Sequence, residues 1–247
     1  MSTRKSSRRA SLTLAAICVL TLVAVVTFAA LGTWQVQRRA WKHDLIARVD
    51  ARIHADAVPA PARADWPALD AGGDAYRRVF AIGTFADDRE TLVQAVTELG
   101  GGYWVMTPLV GTDGSTILVN RGFVPVEKRD PTTREIGRRA GETRVTGLLR
   151  MSEPGGGFLR HNDPSGDRWY SRDVAAIAAA RGLGPTAPYF IDADATPNPG
   201  GYPVGGLTVV AFSDNHLVYA LTWFALAIMA AAGGAYVIRD GMRRRDT

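Results

Sequence analysis

"LVYALTWFALAIMAAAGGAYVI", residues 217–238, is a run of 22 residues without a charged side chain. At about 1.5 Å per residue a helix of that length crosses the ~30 Å of a hydrocarbon layer, so the run is expected to span a membrane. Aromatic side chains near its start and Arg239 and Arg243 beyond its end are the usual flanks of such a span. A companion run, "LTLAAICVLTLVAVVTFAALG" at residues 12–32, sits inside a stretch, 10–37, that carries no charge. Twin arginines in "SRRASL" (7–12) imitate an export signal. A cleavable signal has an apolar core of only about 7–15 residues and a small-x-small cleavage site, so an uncleaved anchor is the expectation.

Charge sets the expected orientation. The chain is +5 overall, but Arg4, Lys5, Arg8, Arg9, Arg239, Arg243, Arg244 and Arg245 lie outside the apolar runs, and the stretch between the runs is slightly acidic. A nucleic-acid partner is therefore not expected. Basic residues outside both runs predict cytoplasmic termini at 1–10 and 239–247, with spans over 11–33 and 214–238. Arg38, Arg39 and Lys42 then fall on the wrong side of the first span, where headgroup phosphates are natural partners and membrane lipid is an expected contact.

Between the runs, "WKHDLIARVDARIHAD" (41–56) places Trp41, Leu45, Ile46, Val49 and Ile53 near one helical face, which predicts an interfacial amphipathic helix over 34–56. A Pro/Ala-rich linker, 57–73, ends it. Short runs bounded by Gly, Pro or Asp follow: "YRRVFAIGTF", "ETLVQAVTEL", "GGYWVMTPLV", "STILVNRGFVPV", "TRVTGLLRM", "PYFID" and "LTVVAFS". Within them Asn120, Arg121 and Gly122 read as a strand-end turn. "RDVAAIAAARG" (172–182) reads as a helix with Asp173 as N-cap and Gly182 as its stop. The fold class expected is a membrane protein: two transmembrane α-helices flanking an extracytoplasmic α+β domain over 57–213, mostly antiparallel sheet or partial barrel.

Few residues offer chemistry. No G-x-S-x-G, H-E-x-x-H or phosphate loop occurs, and the glycine-rich "EPGGGFLRHNDPSG" (153–166) fits no dinucleotide fingerprint and reads as a mobile loop. The lone Cys18 excludes an intrachain disulfide, a CxxCH haem attachment and a paired-thiolate copper site. His161 in that loop is a candidate base or a solvated side chain. His43 and His54, eleven apart, are too distant to share one ion and read as interfacial or solvated.

His216 differs, because it opens an apolar run. Tyr219 and Trp223 follow at i+3 and i+7, which suggests one stripe entering the bilayer. One reading is an interfacial histidine with an aromatic belt, the helix capped by Ser213 or Asp214. The other is a neutral imidazole serving as an iron ligand, its metal role carried by His216 and its aromatic neighbours facing a porphyrin. A two-span hairpin would bring Trp34, Gln35, Arg38 and Arg39 to the same membrane face, where arginines can pair with carboxylates. Ala230 and Gly234 are small enough for close approach of helices, within the hairpin or to a client.

"LGTWQVQRRAWK", "YWVMTPL", "ILVNRGFVP", "RWYSRD", "YFID" and "DNHLVYALTWF" stand in this order between the two runs. Together they resemble the Surfeit-locus-one family of cytochrome c oxidase assembly factors, over nearly the whole chain. The resemblance implies a non-enzymatic role at the cell membrane, transient binding of haem a, and oxidase subunit I and other assembly factors as partners. It implies His216 as the haem ligand, and places the family's Gly and Trp at Gly32 and Trp34. Asp214 departs from the Asn more usual there; an acid could orient the ring or cap the helix. A scaffold that never holds cofactor is the alternative.

Overall fold

The computed structural model describes residues 2–157, 159–210 and 214–243. Residues 211–213 of the strand expected over 207–213, Ser213 as a cap, Phe158 of the glycine-rich loop and the tail residues Arg244 and Arg245 lie outside the described residues, as do the side chains of Arg4, Lys5, Arg8 and Arg9. The chain forms two units, 1–47 with 211–247, and 48–210.

In the first unit the anchor and the predicted amphipathic segment are one helix, α1 (Ser2–His54), which no proline interrupts. The other helix is α4 (His216–Arg243). These are the two helices among the described residues long and apolar enough to cross a membrane. Leu20, Val23 and Val26 of α1 and Leu221, Ile228 and Met229 of α4 are exposed, as lipid-facing side chains would be.

The two helices meet along a seven-residue spacing, the period of left-handed helix pairs. On α4 the positions are Ala220, Ala227, Gly234 and Gly241. Ala220 and Ala227 are the buried residues of that helix. A Cβ at Gly234 would lie 2.2 Å from Thr21 Cγ2, and one at Gly241 3.1 Å from Leu14 Cδ1. From the other side, Gly32 makes room for the Phe224 ring, which a Cβ would approach to 2.7 Å. Phe28 stacks on Trp223 with ring centroids 5.7 Å apart. Of the two small residues expected to permit close approach, Gly234 does so within the hairpin, and Ala230 is half-buried. In lipid, which gives helices no hydrophobic reason to associate, such close packing would be what holds the pair.

The second unit begins in the last turns of α1. It contains β1 (Val58–Pro59), a short helix α2 (Ala71–Asp74), β2 (Arg78–Phe85), β3 (Thr91–Thr97), β4 (Gly100–Val110), β5 (Thr116–Pro125), β6 (Glu142–Met151), the hairpin β7 (Gly156–Gly157) and β8 (Arg160–His161), α3 (Val174–Ala180) and β9 (Thr186–Ala193). The main sheet runs β1-β2-β6-β9-β5-β4-β3, and β2 also pairs with β4 through Thr84–Val110 and Phe85–Leu109. That short extra pairing makes the expected partial barrel. Pairs β1–β2 and β5–β9 are parallel, and the other ladders of the main sheet are antiparallel.

Alternation along the strands sorts two cores. Val119 and Ile191 face the inner one with Val79, Leu149 and Tyr189. Their neighbours Leu118 and Phe190 face the other, under α3 and Trp169. The linker stretch is packed as well, with Trp66 against the inner core. Helix α3 starts and ends as its sequence predicts: Asp173 accepts the Ala176 N–H, and Gly182 has φ +59°.

Two expectations fail. Asn120, Arg121 and Gly122 are no turn; they lie inside β5, buried. Gly122 has the positive φ of a turn residue, +131°, but it serves close passage of Val204, whose carbonyl oxygen a Cβ would approach to 2.2 Å. Leu207–Val210 is no strand. A short run of β-prone residues alone does not make one without a ladder partner, and Val209 is 82% exposed.

Three of the quoted motifs of this unit, "ILVNRGFVP", "RWYSRD" and "YFID", meet at Asp192, whose side chain is 1% exposed. It accepts from Asn120 Nδ2 at 2.8 Å, Arg150 Nη1 at 2.9 Å and Arg172 Nη1 at 3.0 Å. Burial works against the Arg172 charge, yet Asp192 and Glu153 hold its pKa above the ordinary arginine value. Arg121 pins other segments, donating to Asp87 Oδ1 at 2.9 Å and to the Gly137 carbonyl.

Two outcomes follow from this packing. Asp192→Ala strands two half-paired guanidinium groups in the interior and is expected to lower unfolding stability by about 3 kcal/mol or more in a urea titration. Gly234→Val should drive the helices apart at Thr21. A crosslink engineered between Leu14→Cys and Gly241→Cys, with Cys18→Ser, should form in the parent and drop several-fold in the valine variant.

Candidate functional site

The acid before α4 decides how that helix begins. Asp214 Oδ1 accepts the His216 N–H at 3.1 Å, an N-cap type bond that satisfies one of the donors a helix start leaves open. Its other oxygen, Oδ2, accepts from His43 Nε2 at 2.7 Å and lies 3.5 Å from Arg39 Nε. Of the two roles open to Asp214 in the sequence, capping is the one found. The carboxylate does not hydrogen-bond the His216 ring.

Gln35 takes that place. His216 Nδ1 and Gln35 Oε1 are 2.7 Å apart, between the opening residue of α4 and the facing surface of α1. Both residues are half-buried. Among the described residues nothing hydrogen-bonds His216 Nε2.

The remaining predicted site residues divide. Arg39 belongs to the Asp214 cluster, whereas Arg38 stacks over the Trp41 ring at 4.0 Å. Trp223 is turned into the helix interface against Phe28, while Tyr219 is 55% exposed and Trp34 53% exposed. The expected single stripe of His216, Tyr219 and Trp223 is therefore split. On a 3.6-residue period, i+3 is displaced by roughly 60° from i, whereas i+7 nearly returns to it. The inward line is His216, Ala220 and Trp223, with Tyr219 beside it.

His43 is the residue that sequence reasoning missed. It reads as a solvated histidine, and half of its side chain is exposed, yet it pairs with Asp214 across 171 residues of sequence. A usable signal was its spacing: Gln35, Arg39 and His43 recur every four residues on one side of α1. His54 engages its own helix end, with Nδ1 2.9 Å from the Asp50 carbonyl oxygen. His161 is exposed in β8.

This arrangement has limited chemistry. Among the described residues no group of three or more His, Cys, Asp or Glu could cage a metal ion. What it offers is one imidazole, tethered at Nδ1 and, among the described residues, unengaged at Nε2, beside exposed aromatic and apolar side chains. That donor set suits a large apolar ligand whose metal already has its equatorial ligands, which describes a haem better than a bare ion.

Comparison with known proteins covers both helices and the domain. The model of the SURF1 family matches residues 22–228. Surfeit locus protein 1 of Homo sapiens is 40% identical over 226 residues, 85% of this chain and 73% of that protein. A SURF1-like protein of Monosiga brevicollis is 37% identical over 90% of this chain and 87% of its own length, and one of Drosophila melanogaster is 32% identical over 84% and 72%. A match that starts within α1, takes in the whole sheet domain and ends within α4 makes this chain a member of the SURF1 family.

Proposed function

We propose that this protein is a non-enzymatic factor of cytochrome c oxidase assembly that takes up haem a as cargo at the outer membrane face and helps deliver it to oxidase subunit I. The observation that carries the reading is the His216 ring, held by Gln35 at one nitrogen and, among the described residues, unengaged at the other, at the start of an apolar helix. The family membership supplies the assembly context. In this reading the two helices span the cell membrane, both termini are cytoplasmic, and the sheet domain is extracytoplasmic and meets subunit I and other assembly factors.

His216 would ligate the haem iron. Exposed Trp34 and Tyr219 would offer apolar and aromatic surface beside it, while Trp223 supports the hairpin from within. Arg38 and Arg39 are the cations available for the carboxylates of a haem, Arg39 sharing its charge with Asp214. A carrier must release its cargo. A single protein ligand on a lipid-exposed helix pair suits release, because transfer needs only a receiver that binds more tightly.

An optical spectrum tests this. Protein purified from cells that make haem a is expected to show a haem a band, and His216→Ala to lose it by more than about 100-fold, beyond the 10–100-fold that loss of a partner of the ligand would cause. Helix content by circular dichroism should be unchanged. A colourless wild type that still retains oxidase subunits would replace the carrier reading with that of a cofactor-free scaffold.

A further inference from the structure

We infer that Gln35 is a positioning residue that fixes the tautomer of His216, placing the ring proton on Nδ1 and leaving the Nε2 lone pair as the one available for ligation. The consequence for cargo rests on the haem reading above; the tautomer itself does not.

A neutral imidazole has one N–H and one lone pair. Oε1 of a side-chain amide only accepts, so its 2.7 Å approach to Nδ1 requires the proton to be there. The acid nearest in sequence is engaged elsewhere. Asp214 is engaged by the His216 backbone N–H and by His43, and Arg39 by Asp214. Leu217 and Val218 follow on α4 and bring no polar side chain. Among the described residues the ring makes one hydrogen bond, to Gln35, and that contact bears on its direction and its proton, at a membrane edge where a hydrogen bond is stronger than in water.

The residue type matters. A carboxylate in place of the amide would favour a second proton on the ring and so close the lone pair at moderate pH. An aliphatic residue would leave the tautomer free. The amide accepts at Nδ1 and carries no charge. Outer partners of this kind orient ligating histidines and typically alter affinity by about 10–100-fold.

The test begins without haem. Full-length protein labelled with ¹⁵N-histidine is placed in lipid nanodiscs at a pH where the rings are neutral, and the His216 signals are identified by their loss in His216→Ala. The expected spectrum has a protonated-type Nδ1 and an unprotonated-type Nε2. Gln35→Leu should mix the tautomers and weaken haem a binding by about 10–100-fold. Gln35→Glu, which also accepts at Nδ1, should restore the Nδ1–H form. A protonated Nε2 in the wild type overturns the assignment whatever haem does, and needs no variant to fold. An Nδ1–H ring in a protein whose haem content ignores His216→Ala upholds the role of Gln35 and removes the haem reading instead.

Discussion

The close approach of α1 and α4 is the constraint on which the candidate site depends. Ala220, Ala227, Gly234 and Gly241 recur at seven-residue intervals on α4, and Gly32 answers them from α1. Larger residues at these points would separate the backbones, and a contact as short as that between Gln35 and His216 requires them to be near. The small residues thus act at a distance from the polar cluster they make possible. Packing that looks like hairpin stability is also what gives one histidine a specific neighbour.

A second constraint organises the sheet domain, and it is electrostatic. Asp192 draws Asn120 from β5, Arg150 from β6 and Arg172 from the segment before α3, so three parts of the chain share one buried carboxylate. Such a network is costly when any member is missing, which argues that it specifies one arrangement of the strands rather than simply adding stability. The family motifs "NRG", "RWYSRD" and "YFID" all contribute to this network or pack beside it. Trp169 closes the outer core, Ser171 donates to the Glu153 carbonyl, and Asp173 caps α3. Their chemistry is consumed in folding the domain.

The parts legible in the sequence were those governed by local pattern. Run length announced both long helices, alternation announced β2 to β6 and β9, and Asp173 with Gly182 bounded α3. What local pattern misplaced has physical causes in distant contacts. Gly122 looked like a turn because positive φ is commonest in turns, but here it accommodates a backbone passing over a strand. Leu207–Val210 looked like a strand because a short run of β-prone residues does not reveal whether a partner edge exists. The site was legible as a list and not as an arrangement. Gln35, Arg39 and His216 were named as neighbours, yet their pairing, the splitting of Tyr219 from Trp223 and the recruitment of His43 depend on how α4 is rotated against α1.

Asp214 shows why that rotation matters chemically. An acid one residue from Asn215 and two from His216 could have taken the imidazole proton itself, giving the ring a charged partner and a more basic lone pair. Instead its two oxygens are divided between the start of α4 and the His43–Arg39 side of α1, and the ring is left to a neutral amide. A ligand of that kind is a weaker donor than one backed by a carboxylate. For a residue proposed to hold haem a only until a tighter-binding receiver takes it, modest donor strength is an advantage, because the free-energy gap that drives transfer is the difference between the two sites. The cap and the proposed ligand are therefore one design problem: with the carboxylate used at the helix start, the orientation of the ring is left to a neutral amide.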